Sequence, residues 1–261
     1  MHTIIFFAPK GGAGRTTAVM ATASAFIASG HRVGVLNMTE EARLAPKIGE
    51  SFIKQWQASM LASGIGPDKL VTASAWDSDS FYNAKEQFCA AGCTRILIDT
   101  PKAPNRLINY AMFDSDLIVM PFTGHFEATW VSHWVASNLC PIKKMIGLAT
   151  GLTGTDAHQA VFKSALYGLP TLNNALPRSE VFANQLIDGS FYQLQAGSGA
   201  GEYTEADLLS ARSAATGLIE ELNRLLKARN LRKYPIEKQL ATGHPLAHLK
   251  ALHAQSPEAF C

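Results

Sequence analysis

The sequence predicts an α/β fold, a doubly wound and mostly parallel sheet flanked by helices, on three observations. Residues 3–17, Thr-Ile-Ile-Phe-Phe-Ala-Pro-Lys-Gly-Gly-Ala-Gly-Arg-Thr-Thr, pass from a β-branched and aromatic run straight into a glycine-rich loop. Further apolar runs are short and mostly unalternating, as in strands covered on both faces. Stretches of helical spacing separate them, and the right-handed crossover rule winds such a series into one parallel sheet.

Ile4 to Ala8 reads as the first strand and Thr16 to Ser29 as an alanine-rich helix, with Val19, Met20, Ala23, Phe26 and Ile27 at helical spacing. Gly30 ends that helix, because glycine takes up a left-handed terminus at little cost. Arg32 to Leu36 gives a second strand, Arg95 to Ile98 a third ending at Asp99, Asp116 to Met120 a fourth ending at Pro121, and Lys144 to Ala149 a fifth. Ser51 to Ser63, Ser80 to Ala91, Ala103 to Phe113 and Glu127 to Leu139 supply the crossover helices. Later, Asp156 to Tyr167 is expected to be helical, Thr171 to Leu176 a last strand, and Ser179 to Ile187 a helix capped by Ser179. Gly197 to Gly201 reads as a flexible loop and Glu205 to Ala228 as a strongly amphipathic helix. Pro235 and Pro245 break regularity beyond it, dividing the chain into a domain over 1–228 and a basic extension over 229–261.

Composition narrows the class. With 47% hydrophobic and 17% charged residues, the 261-residue chain is neither disordered nor fibrous, and a net charge of +2 gives no global attraction to polyanions. Any affinity for DNA must therefore come from a local patch. Cys89, Cys93, Cys140 and Cys261 lack paired metal spacing, and nothing at the N-terminus reads as a signal peptide, so reduced thiols in a cytoplasmic protein are expected. The run from Leu117 to Phe122 is far too short to span a membrane.

Chemistry concentrates in the first loop. The general phosphate-loop pattern G-x-x-x-x-G-K-[ST] places lysine two residues before Thr17, and this chain has Arg15 there, with an additional Lys10 opening the loop. Gly11, Gly12 and Gly14 let backbone N–H groups approach phosphate oxygens without side-chain clash. The helix that begins near Thr16 adds its N-terminal dipole, and the Thr16 hydroxyl is placed to ligate Mg²⁺.

Lys10, Gly11, Gly12, Ala13, Gly14, Arg15 and Thr16 resemble the deviant phosphate loop K-G-G-x-G-K-[ST] of the ParA/MinD group of P-loop ATPases, departing from it at Arg15. Arg95-Ile-Leu-Ile-Asp-Thr-Pro101 is similar to the group's Walker B strand, Asp114 to Phe122 to its next strand, and Leu176 to Gly189 to its late segment near the adenine. Within the group, Asp99 to Trp130 and the long final helix look most like VirC-type accessory proteins of conjugation and T-DNA transfer. The resemblance implies ATP and Mg²⁺ as cofactors, the loop from Lys10 to Thr17 as the nucleotide site, and Thr16 with Asp99 at the metal. It also implies an ATP-dependent homodimer in which Lys10 reaches the partner subunit's nucleotide, so that Lys10 and Asp99 are the catalytic candidates. Partners implied are DNA and a ParB-like protein, relaxase or coupling protein, in plasmid partition or conjugative transfer.

Two departures bear on turnover. The group's second strand normally ends in an Asp-x-Asp segment, whereas here it ends Leu36-Asn37-Met38-Thr39-Glu40-Glu41. Asn37 hydrogen-bonds but supplies no negative charge, which leaves Glu40 or Glu41 to substitute. Arg15 brings a broad, planar cation in place of a compact one. Weak ATP hydrolysis is the expectation. The alternatives are a degenerate, non-hydrolysing scaffold that binds a protein partner, and a dethiobiotin-synthetase-like ligase, for whose substrate groups the sequence offers no anchor.

Arg224, Lys227, Arg229, Arg232 and Lys233 form a basic run, read either as a solvated helix face and tail or as DNA-phosphate contacts. Arg178, which matches the arginine of the family's late Pro-Arg segment, is a further DNA candidate. A membrane-binding tail of the MinD sort is not expected, because Pro235 and Pro245 interrupt any helix there.

Overall fold

Unbroken apolar strands make sense once each faces a helical layer on both sides. A computed structural model describes residues 1–39, 51–101, 105–124, 127–128, 131, 145–152 and 169–228. Its strands are β1 (His2–Phe6), β2 (Val33–Asn37), β3 (Leu70–Ser74), β4 (Arg95–Asp99), β5 (Leu117–Phe122), β6 (Met145–Leu152) and β7 (Leu176–Pro177). They form a seven-stranded sheet in the order β3-β2-β4-β1-β5-β6-β7, and every described pairing is parallel.

The described helices are α1 (Arg15–Ala28), α2 (Phe52–Ala62), α3 (Ser78–Ala90), α4 (Arg106–Asp114), α5 (Glu180–Ala183), α6 (Gln185–Asp188) and α7 (Glu205–Lys227). Alternate strand residues serve opposite layers. Ile4, Phe6, Val33, Val35 and Leu97 pack with residues of α1, α2 and α7. Ile5, Leu36, Ile96 and Ile98 pack with residues of α3 and α4. This is the doubly wound parallel sheet that the sequence predicts.

Local chemistry sets the helix starts. Asp77 and Ser80 make a capping box at α3, Asn105 accepts from Ile108 N–H at α4, and Thr204 with Asp207 boxes α7. In β2, Gly34 is required by close packing, since a Cβ there would lie 2.7 Å from the fully buried Phe88 ring. Gly34→Ala should therefore lower stability by about 1–3 kcal/mol, read as a shift in the urea midpoint with an unchanged slope.

Three sequence expectations change. The edge strand β3 is missing from the sequence reading, so the strand at Arg95 is the fourth; Val71, Thr72, Ala73 and Ser74 are only half-buried and give no continuous apolar run. Thr171 to Leu176 is not a continuous strand: Thr171 makes an isolated bridge to Gly147, and pairing resumes at Leu176. Between them the buried Glu221 accepts from the backbone N–H and the side-chain amide of both Asn173 and Asn174, which turns that backbone away from the sheet. Ser179 to Ile187 divides at Asn184 into α5 and α6. The expected helices over 127–139 and 156–167 lie mostly or wholly outside the described residues, as does the extension from 229.

Candidate nucleotide-binding site

β1 lies between β4 and β5, so the loop leaving its carboxyl end opens where the windings diverge. That crevice is where open α/β sheets bind ligands. Gly12 and Gly14 hold φ of 86° and 72°, left-handed values that favour glycine, and Gly14 is the N-cap of α1. The helix has no side-chain cap and no acid in its first turn. Its leading N–H groups are thus left to the positive end of the dipole and to an external acceptor.

Asp99 ends β4 beside Phe6 of β1. Its Oδ2 accepts the Thr16 hydroxyl at 2.6 Å, whereas Oδ1 is buried and has no hydrogen-bond partner. Burial pushes this carboxyl up to about 6, against the pull of the Thr16 hydroxyl and the Arg15 guanidinium. A buried carboxylate oxygen without a partner, next to a hydroxyl, is the donor set of a hard cation. Thr16 and Asp99 therefore fit Mg²⁺.

Arg15 lies under the loop. It is 9% exposed, and Nη1 donates to Thr100 O at 2.7 Å, Thr100 Oγ1 at 3.3 Å and Pro101 O at 2.5 Å. The Thr100 hydroxyl in turn donates to Phe6 O at 2.9 Å. Burial lowers the pKa of the guanidinium, and Asp99 counters it. In this arrangement the cation ties the start of α1 to the exit of β4.

Lys10 is more open, with its side chain 58% exposed and Nζ 3.4 Å from Glu127 Oε1. Glu127 Oε2 also accepts the Thr123 N–H at 2.7 Å and the Thr123 hydroxyl. Burial alone raises the Glu127 pKa, but Thr123 and Lys10 together outweigh it and hold the carboxyl below its ordinary value.

At the end of β2, Asn37 is buried beside Asp99, and its Oδ1 accepts from Thr39 N at 3.0 Å and Thr39 Oγ1 at 2.8 Å. The amide oxygen thereby closes a local turn. Glu40 and Glu41 lie outside the described residues.

The basic candidates fall into separate places. Arg178 is exposed just after β7. Arg224 and Lys227 are exposed in the last turn of α7, where the neighbouring Asn223 accepts from Arg95 at the start of β4. They therefore sit at the amino edge of the sheet, a strand length of about 16 Å from the phosphate loop. Arg229, Arg232 and Lys233 lie outside the described residues. Thr100, Glu127 and Thr150 were not singled out by the sequence reading; their one signal is a polar side chain at or just past the carboxyl end of an apolar run.

The family model described as VirC1 protein matches residues 1–125. No curated protein sequence matches the chain. Among solved structures, the septum site-determining protein MinD of Pyrococcus horikoshii, complexed with Mg-ADP, shares 14% identity at a TM-score of 0.56, covering 88% of this chain and 99% of that one. The pNOB8 ParA bound to nonspecific DNA shares 14% identity at a TM-score of 0.54, with 88% and 99% covered. A plasmid partition protein described as putative, from Borrelia burgdorferi and bound to AMPPNP, shares 13% identity at a TM-score of 0.51, with 84% and 99% covered. The chain therefore has the fold of the ParA and MinD structures, and its residues 1–125 match the VirC1 family model.

Proposed function

We propose that this protein is an ATP-binding switch that dimerises with nucleotide and positions or partitions DNA or a DNA-transfer complex, with weak hydrolysis. The observation that carries the reading is the uncapped N-terminus of α1 standing over the Thr16–Asp99 pair, whose Oδ1 lacks a partner. Phosphate oxygens would meet the N–H groups from Gly11 to Thr17, and Lys10 supplies exposed positive charge at the rim. Thr16 and Asp99 hold Mg²⁺, which neutralises phosphate charge when bound. Arg15 preserves the loop's footing on β4 instead of supplying a point charge between phosphates. Arg178, Arg224, Lys227, Arg229, Arg232 and Lys233 are the DNA candidates, and a ParB-like protein, relaxase or coupling protein is the partner class.

Weak turnover follows from the same residues. Positioning an attacking water needs acceptors near the transferred phosphate. β2 ends in Asn37, whose oxygen is engaged by Thr39, so among the described residues Asp99 has no second acid from that strand end. The same observation favours the second reading, a non-hydrolysing scaffold. ATP turnover measured with and without DNA, together with dimer mass by sedimentation, separates the two: DNA-stimulated turnover supports the switch, and an ATP-bound dimer without turnover supports the scaffold. Lys10→Ala should remain monomeric at every ATP concentration while still binding nucleotide; a normal ATP-dependent dimer in that variant overturns the role of Lys10. Failure of the wild-type chain to bind any adenine nucleotide overturns the reading itself.

A further inference from the structure

The phosphate loop is shaped in part by a residue far outside its motif. Thr150, on β6, is 4% exposed, and its Oγ1 lies 2.9 Å from Ala13 O and 3.2 Å from Phe122 O. Both neighbours are carbonyl oxygens, so the single hydroxyl proton is shared between them. The same side chain crowds Gly14: a Cβ built there would come within 3.0 Å of Thr150 Oγ1 and 3.2 Å of its Cβ. Ala13 is 2% exposed, so its carbonyl is shut off from bulk water and this hydroxyl is the partner the structure gives it.

In a trans peptide the carbonyl and the following N–H point in opposite directions. Anchoring the Ala13 carbonyl against β6 therefore turns the Gly14 N–H to the other side of the loop, away from the sheet. We propose that Thr150 is a positioning residue that aims the Gly14 N–H at a bound phosphate and keeps the loop in its binding shape before any ligand arrives. The inference rests on the nucleotide-binding reading and deepens it, since the group served is a phosphate shared by ADP and ATP. Thr150 touches no phosphate itself; it acts through one peptide plane.

The test compares Thr150→Val, which keeps shape and loses the hydroxyl, with Thr150→Ser, which keeps the hydroxyl. Dissociation constants for ADP and for ATP are measured by calorimetry with Mg²⁺, at a temperature where thermal scans show each variant folded. The valine variant should bind both nucleotides about five- to tenfold more weakly, and the serine variant within about twofold of wild type. If the valine variant does not fold, Thr150→Ala takes its place, with the serine variant again as the rescue. Unchanged affinity in the hydroxyl-free variant overturns the inference, because a role in packing alone would lower the melting temperature and leave binding intact. Equal weakening in valine and serine variants also overturns it, by assigning the effect to side-chain volume. A wild-type chain that binds neither nucleotide overturns the nucleotide reading together with this one, a result distinct from either of those.

Discussion

Asp99→Asn is expected to stabilise the protein at pH 8 when metal and nucleotide are both absent, by up to about 3 kcal/mol. Asp99 is 2% exposed, and its folded carboxyl titrates at about 6, above the ordinary aspartate value of 3.8. An acid whose folded pKa is raised costs nothing below the unfolded pKa, where both states are protonated. The cost appears as pH rises from about 4 towards 6 and is fully present above that. Wild-type stability in EDTA should therefore fall across that window, and the asparagine variant should lose this component of the fall. Thr16 still donates to the asparagine oxygen, so that contact survives. Urea midpoints at pH 4, 5, 6 and 8 give the result, and a wild-type profile no steeper than that of the variant would show that Asp99 ionises freely. In Mg²⁺ and ATP the sign should reverse: on the proposed function the variant gains no ligand-dependent stability, because the carboxylate assigned to the cation is gone.

Arg15→Ala is expected to destabilise the nucleotide-free protein by about 2–4 kcal/mol. The substitution leaves the carbonyls of Thr100 and Pro101 without their buried donor and removes the cation that offsets the Asp99 charge. Because the two groups answer one another, the effects should not add. At pH 8, Asp99→Asn should stabilise the Arg15→Ala protein by more than it stabilises wild type, and this excess should shrink at pH 5, where Asp99 is largely protonated. Arg15→Lys should fall between wild type and alanine, since an ammonium restores a buried cationic donor but not the reach and planar orientation by which Nη1 meets these acceptors. Thermal denaturation of wild type, the three single variants and the double variant at both pH values decides the matter; additive effects would place Arg15 and Asp99 in separate networks.

The contrast between what the sequence reveals and what it hides follows from distance along the chain. The phosphate loop and Asp99 are local signals, a strand followed by glycines and a strand ending in an acid, and the sheet builds around them as the sequence implies. The strand β3 gives no such signal, because an edge strand covered on one side tolerates Thr72 and Ser74. The turn at Asn173 and Asn174 depends on Glu221, 48 and 47 residues further on. The direction of the Arg15 side chain is likewise decided by carbonyls 85 and 86 residues away. A motif specifies which residues surround a phosphate, but these partners decide where each side chain points. Lys10 matches the family pattern as a residue, yet its pairing with Glu127 is written only in the folded arrangement.

The span of those ties also orders events in time. Thr150 reaches back 137 residues to Ala13, and Arg15 reaches forward past β4. Contacts of such sequence separation cannot form before the intervening chain exists, and they carry the loop-closure entropy of all of it. A ribosome-bound chain that has emerged only as far as residue 125 carries the whole glycine-rich motif yet has no β6 to hold it. The Ala13 carbonyl thus gains its anchor only when the sixth strand docks, so the final setting of a loop that begins at residue 10 waits on a strand more than 130 residues later.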